Sequence, residues 1–128
     1  MREKKTEAII LDSRDIFDAD RTLLLFTKNF GKIRARAKGV RRPTSKLTGH
    51  LLIYLPTQLE LAEVGEWYLI TQATLRQSPQ GNTYPADSLS FLKQAAILAE
   101  AINKLFIEQD SHPVIYAGLR HTLERLSH

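Results

Sequence analysis

Positive charge is the chemistry most concentrated in this sequence. Residues 28–46 hold Lys28, Lys32, Arg34, Arg36, Lys38, Arg41, Arg42 and Lys46 and no acid, against 18 basic residues in the whole chain. Ile33, Ala35 and Ala37 alternate there with Lys32, Arg34, Arg36 and Lys38. Side chains alternate faces on a strand, so one face is apolar and the other carries neighbouring cations. Such a row repels itself, and a polyanion laid across it offsets the repulsion. Arg41 and Arg42 carry the row into a loop that Pro43 stiffens, and Lys46 follows. Phosphates are the obvious ligand, because Lys and Arg release condensed counterions from nucleic acid. A charged row can also be the solvated face of an edge strand; the absence of any balancing acid favours the polyanion. The nucleic-acid-binding set read from this pattern is Lys32, Arg34, Arg36, Lys38, Arg41, Arg42 and Lys46. Cations in a row read backbone and carry no sequence code.

Phe30, Tyr54, Trp67 and Tyr68 are the aromatics that could stack on bases. For each of them packing in the core is the competing role. Trp67 and Tyr68 are neighbours on a strand, so they point to opposite faces and at most one is in the core.

Other constellations fall short of a reaction. Asp12, Asp15, Asp18 and Asp20 crowd one segment, but the spacing lacks the Gly and Glu of a calcium loop. They read as a solvated loop partly neutralised by Arg14 and Arg21, repulsive to phosphate. An enzyme holding Mg²⁺ on these acids is the weakest of the alternatives. His50, His112, His121 and His128 show no metal-ligand spacing. There is no Cys, which excludes disulfides, thiol catalysis and Cys-ligated metals. No phosphate-binding glycine loop or nucleophile elbow occurs. The expectation is a binding protein without catalytic residues, metal or cofactor.

The elements that must position the cations change character along the chain. Residues 6–75 read as short strands: Thr6–Leu11, Arg21–Thr27, Ile33–Lys38, Thr57–Ala62 and Trp67–Leu75. Asp12–Asp20 is expected as a polar loop, Lys28–Gly31 as a tight connection, and Glu63–Glu66 as a four-residue hairpin loop. Thr48–Leu55 is ambiguous, a helical turn leading into a strand. Five short strands with one interruption suggest a small closed barrel of OB or SH3 type.

Gln77–Pro85 is a boundary, after which the period becomes helical. Asp87 or Ser88 caps a helix to about Gln109, with Leu89, Leu92, Ala96, Ala99, Ile102 and Phe106 on one face. A second helix begins at Ser111-His112-Pro113, its stripe being Val114, Ile115, Leu119, Leu123 and Leu126. Two such helices can cover each other and one wall of the barrel. The fold class is therefore a β barrel plus α, with residues 1–78 the nucleic-acid-binding domain and 86–128 a partial helical domain.

Charge follows the same division. The chain has 128 residues and a net charge of +4. Residues 1–85 carry fourteen basic against nine acidic side chains, and residues 86–128 four against five. The apolar runs are too short to span a bilayer, and no apolar segment follows the charged N-terminus. Cytoplasm is the expected location.

The run Ala37-Lys38-Gly39-Val40-Arg41-Arg42-Pro43-Thr44-Ser45-Lys46-Leu47 resembles the signature segment of the RecO family of bacterial recombination mediators. Ala8–Leu11, Leu23–Thr27 and Phe30–Lys32 upstream, and Leu59–Leu61 and Thr71–Ala73 downstream, fall in the same order as in that family. The resemblance covers residues 6–76 well and the helices loosely. It implies an N-terminal OB-fold, a helical region, and binding of single- and double-stranded DNA with annealing of complementary strands. It also implies contact with the tail of single-strand-binding protein and cooperation with RecR in loading RecA. Its motif cations are Lys38, Arg41, Arg42 and Lys46, with Lys32, Arg34 and Arg36 as strand neighbours. Members are typically longer, and many carry a Cys-type zinc site that these Cys-free residues cannot form. Two other readings stay open. One is an RNA-binding OB module. The other is a protein-interaction module whose apolar helix faces and basic strand seat an acidic peptide tail.

Overall fold

The computed structural model describes residues 3–76, 84, 87–106 and 110–126. Five strands, β1 (Glu3–Ile16), β2 (Asp20–Thr27), β3 (Gly31–Ala37), β4 (Thr57–Val64) and β5 (Trp67–Leu75), close into a barrel in the order β1-β2-β3-β5-β4. Every neighbouring pair is antiparallel except β3 and β5, which meet in parallel at Ala35–Tyr68 and Arg36–Leu69. Two helices follow, α1 (Ser88–Leu105) and α2 (Pro113–Leu126).

Strict alternation builds the interior. Ala8 and Ile10 of β1, Leu23 and Leu25 of β2, and Ile33, Ala35 and Ala37 of β3 point inward. Leu59 and Leu61 of β4 with Tyr68 and Ile70 of β5 complete the core, and Val40 and Leu51 join it from the β3–β4 connection.

The Asp-rich segment is strand where a loop was expected. β1 runs on to Ile16, pairing Asp12 with Leu24 and Asp15 with Arg21. The reason is a bulge at Leu11, between the Ile10–Leu25 and Asp12–Leu24 pairs. One extra residue resets the alternation, so Asp12 shares the outward face of Leu24 and not the inward face of Leu23. The connection to β2 shrinks to Phe17, Asp18 and Ala19.

The β4–β5 turn is likewise shorter than expected. It is only Gly65-Glu66, with Gly65 at φ 62°. Positive φ at the first central residue alone is the pattern of a type II′ turn, which suits the twist of paired strands. Between β3 and β4 there is one 3₁₀ turn, Thr48–His50, followed by irregular chain and no further strand.

The helices cover one outer wall. Ile9 and Leu11 of β1 and Leu24 and Phe26 of β2 face outward, and all four are buried. They pack against Phe91, Ala95 and Ala99 of α1 and Tyr116, Leu119 and Leu123 of α2. Asp87 caps α1, its Oδ1 accepting from the Ser90 amide at 3.3 Å. Leu92, Ala99 and Ile102 of α1 and Leu119, Leu123 and Leu126 of α2 lie on the buried faces as expected, but the faces are rotated at their starts. Leu89, Val114 and Ile115 are exposed, and Phe91 and Tyr116 take the central positions. Phe26 sits 5.8 Å from the Phe106 ring and 6.0 Å from the Tyr116 ring, and Phe91 sits 6.2 Å from the Tyr84 ring, so large aromatics pack together at this wall. α1 stops at Leu105, before the expected end, because Phe106 turns extended to reach Phe26; Gln109 and most of the Gln77–Pro85 boundary lie outside the described residues.

One carboxylate ties barrel to helices. Glu7 of β1 accepts from Tyr116 Oη at 2.8 Å, from Arg76 Nη1 at 2.7 Å and from Arg120 Nη1 at 3.2 Å. Burial alone would push its pKa up, but the hydrogen bonds from Tyr116 and Arg76 and the charge of Arg120 outweigh it, so it is held below the ordinary value.

Candidate nucleic-acid interface

The expected cations all lie on β3 and the loop after it, yet the fold gives them three different situations. β3 pairs with β2 so that Lys32 stands opposite Phe26, Arg34 opposite Leu24 and Arg36 opposite Thr22. Cross-strand partners share a face. The outward face of β2 changes from apolar to polar along this line, and the helices cover only the apolar end.

Lys32 therefore does not stand on an open face. It is buried, and its Nζ donates to the Asn103 carbonyl at 3.0 Å and to Asn103 Oδ1 at 3.1 Å. Asn103 lies in the last turn of α1, where unpartnered carbonyls and the negative end of the helix dipole favour a cation. The charge that β3 offers at this point caps a helix.

Arg34 is exposed, beyond the helix cover. Arg36 is half-buried, with its guanidinium carbon 5.6 Å from the Phe17 ring centroid and 4.9 Å from that of Trp67. Lys38, Arg42 and Lys46 are exposed. The loop that carries them is shaped by Gly39, at φ 65°, whose amide donates to Asp20 Oδ1 at 2.7 Å.

Arg41 departs from the expected row. Its Nη2 donates to the carbonyls of Phe17 at 2.8 Å and Ile16 at 3.2 Å, its amide donates to the Ala19 carbonyl at 3.0 Å, and its Nε lies 3.7 Å from Asp15 Oδ1. It fastens the basic loop to the β1–β2 turn. Asp15 also accepts from Arg21 Nε at 2.8 Å; that hydrogen bond and the charge of Arg41 lower the Asp15 pKa. Two of the acids thus hold the basic loop, Asp15 through Arg41 and Asp20 through the Gly39 amide, while Asp12 pairs with Arg14 on its own strand and Asp15 also with Arg21. Among the described residues no group of three or more His, Asp or Glu is placed to hold a metal.

The aromatics sort as the alternation requires. Tyr68 is in the barrel core, and Trp67 points outward to Arg36. Phe30 packs against the core under the Lys4 amine, and Tyr54 packs against the helix-covered wall. Phe17, which sequence reasoning passed over inside the Asp-rich segment, is 77% exposed. An apolar residue at the tip of a very short turn was the available signal, hidden by the expectation of a nine-residue loop.

Beside this wall lies an open cleft of about 410 Å³ lined by Ser13, Asp15, Arg21, Leu51, Ile53 and Tyr84. Its acid and its cation bind each other, so it adds no net charge to the face.

A closed β1-β2-β3-β5-β4 barrel with a turn of helix between β3 and β4 is an OB-fold, and here it presents its cations on the wall that the helices leave open. A family model described as "Recombination protein O N terminal" matches residues 1–79. The chain is 32% identical over 124 residues to the DNA repair protein RecO of Thermoanaerobacter sp. (strain X514), covering 97% of this chain and 49% of that protein. It is 32% identical over 129 residues to the DNA repair protein RecO of Desulforudis audaxviator, covering 99% and 50%. It is 42% identical over 121 residues to that of Heliobacterium modesticaldum, covering 92% and 43%. The chain belongs to the RecO family. It spans about half the length of these curated relatives.

Proposed function

We propose that the uncovered wall of the barrel binds single- and double-stranded DNA through backbone phosphates, and that the protein acts without enzymatic activity as a mediator of recombinational DNA repair. The observation that carries this reading is the exposed run of Arg34 on β3 and Lys38, Arg42 and Lys46 in the loop that follows, with half-buried Arg36 beside it. The relatives named as DNA repair proteins support it. In this reading residues 1–78 bind DNA and residues 86–128 form a helical region that braces the barrel. The protein anneals complementary strands, cooperates with RecR in loading RecA, contacts single-strand-binding protein, and works in the cytoplasm on nucleoid DNA.

The test is a fluorescence-anisotropy titration of a labelled single-stranded oligonucleotide across salt concentrations. Four exposed cations, Arg34, Lys38, Arg42 and Lys46, give an expected log–log salt slope of about −2.8, at ~0.7 per neutralised phosphate. Lys38→Glu with Arg42→Glu is expected to weaken binding to all sequences alike, by at least about tenfold at moderate salt. A slope near zero would overturn the electrostatic reading. Competition between matched DNA and RNA strands separates DNA from RNA as the ligand.

A second reading has its own observation. Leu89, Ile97, Leu105, Val114 and Ile115 stand exposed on the helices. They could seat an acidic peptide tail, such as that of single-strand-binding protein, with the basic wall nearby. Binding of an acidic peptide that survives Lys38→Glu/Arg42→Glu would assign it to the helices.

A further inference from the structure

Phe17 occupies a position that folding alone does not explain. It is 77% exposed at the tip of the β1–β2 turn, with φ 52° in the left-handed region that bulky residues rarely adopt. A three-residue turn tolerates Gly or Asn there at lower cost. Strained backbone that the surroundings hold in place tends to mark functional sites, and Arg41 holds this one through the carbonyls of Ile16, Phe17 and Ala19.

Three separate elements bring flat groups together at this point. The guanidinium of Arg36, from β3, lies over the Phe17 ring from the β1–β2 turn at 5.6 Å and over the Trp67 ring from the start of β5 at 4.9 Å. Aromatic rings and guanidinium planes are the surfaces on which unpaired bases stack, whatever their sequence. The site adjoins the basic loop, since Arg36 is two residues from Lys38 and Arg41 joins that loop to Phe17. Its rim carries two exposed acids, Asp18 beside Phe17 and Glu66 beside Trp67. These disfavour a phosphate over the rings and leave the surface to an uncharged heterocycle.

We propose that Phe17, Arg36 and Trp67 form a stacking platform for an unpaired nucleobase of a single strand whose phosphates lie on Lys38, Arg42 and Lys46. The proposal rests on the nucleic-acid reading above and adds to it a preference for single strands, because a duplex hides the faces of its bases.

Trp67 is the only tryptophan of the chain, so its intrinsic fluorescence reports on the platform directly. Single-stranded DNA is expected to quench it, and duplex DNA of equal charge is expected to leave it nearly unchanged. Phe17→Ala is expected to weaken single-strand binding about tenfold, as for one stacked base. The same variant leaves duplex affinity, the salt slope and the melting temperature in place, and Phe17→Tyr restores the lost affinity. On an oligonucleotide of the same length made of abasic sites, wild type and Phe17→Ala bind alike. If the wild type binds with a steep salt slope but Phe17→Ala changes nothing, or weakens duplex and single strand equally, the platform is wrong and the phosphate reading stands. If the wild type binds neither DNA at low salt, both fall together.

Discussion

The outer wall of β1 and β2 and the outer wall of β3 and its loop are built on the same alternation but end in opposite chemistry. On the first, Ile9, Leu11, Leu24 and Phe26 face out and the helices bury them. On the second, Arg34, Lys38 and Arg42 face solvent. The border runs through two cross-strand pairs. At Phe26–Lys32 both partners lie under the helices, whereas at Leu24–Arg34 the cation emerges. An outward strand position is thus assigned its role by what the rest of the chain lays over it. A lysine under a helix end is a cap, and an arginine two residues later is exposed. The covered wall supplies the rigidity that holds the open wall in shape, which predicts that stability and binding respond to different residues.

Breaking the covered wall gives the largest effect. Phe26→Ala removes a fully buried ring packed against Phe106 and Tyr116. Losing such a ring is expected to cost about 3–5 kcal/mol of folding free energy, read as a drop in the denaturation midpoint. At temperatures where the variant remains folded, its salt slope for single-stranded DNA should match the wild type. A slope that fell with stability would mean that the two walls are not separable.

The bond between barrel and helices is next in size. Glu7→Ala leaves Tyr116 Oη, Arg76 and Arg120 without their shared acceptor. The loss of a mostly buried carboxylate with charged partners is expected to cost about 2–3 kcal/mol. The same group sets a pH dependence. Its pKa is lower folded than the ordinary 4.5 it regains on unfolding. Between those two values the unfolded state holds more protons, so stability falls as pH drops. The contribution is complete above about pH 4.5 and disappears as pH falls through the lowered folded value. Thermal melts between pH 6 and pH 3 should show this slope in the wild type and a shallower one in Glu7→Gln. Equal slopes would remove Glu7 from the account.

What the sequence discloses depends on whether the controlling contact is local. The barrel was legible because alternation is a local property: Ile33, Ala35 and Ala37 point inward as their spacing requires. The basic loop was legible from its composition, and its kinship from the run Ala37–Leu47. The fates of Lys32 and Arg41 were not. Both depend on partners distant in sequence, Asn103 for one and the Ile16 and Phe17 carbonyls for the other. The bulge at Leu11 was hidden for another reason. The acids that follow it have low strand propensity, while the pairing of Asp15 with Arg21 and of Asp20 with the Gly39 amide exists only once the strands are aligned. That misplacement also concealed Phe17, which no longer looks like one residue of a polar loop when its turn is three residues long.

The smallest effect is the most discriminating, because it compares two lysines six residues apart. Lys32→Met keeps the buried stem and removes the amine that donates to the Asn103 carbonyl. Loss of a charged cap at a helix C-terminus is expected to cost about 1–2 kcal/mol. The salt slope should not change, since that amine never meets a phosphate. Lys38→Met changes an exposed side chain in the loop, so stability should stay within about 0.5 kcal/mol. Its slope on single-stranded DNA should fall by ~0.7, one phosphate contact. Thermal melts and anisotropy titrations on the two variants give four numbers, and the expected pattern is crossed: one moves stability alone and the other binding alone. If Lys32→Met lowered the slope while leaving the melting temperature unchanged, its amine would belong with the open row and the border between the two walls would move to Phe26. If both variants moved both quantities, the walls would be energetically coupled through β3, and the cap on α1 would itself be part of the binding surface.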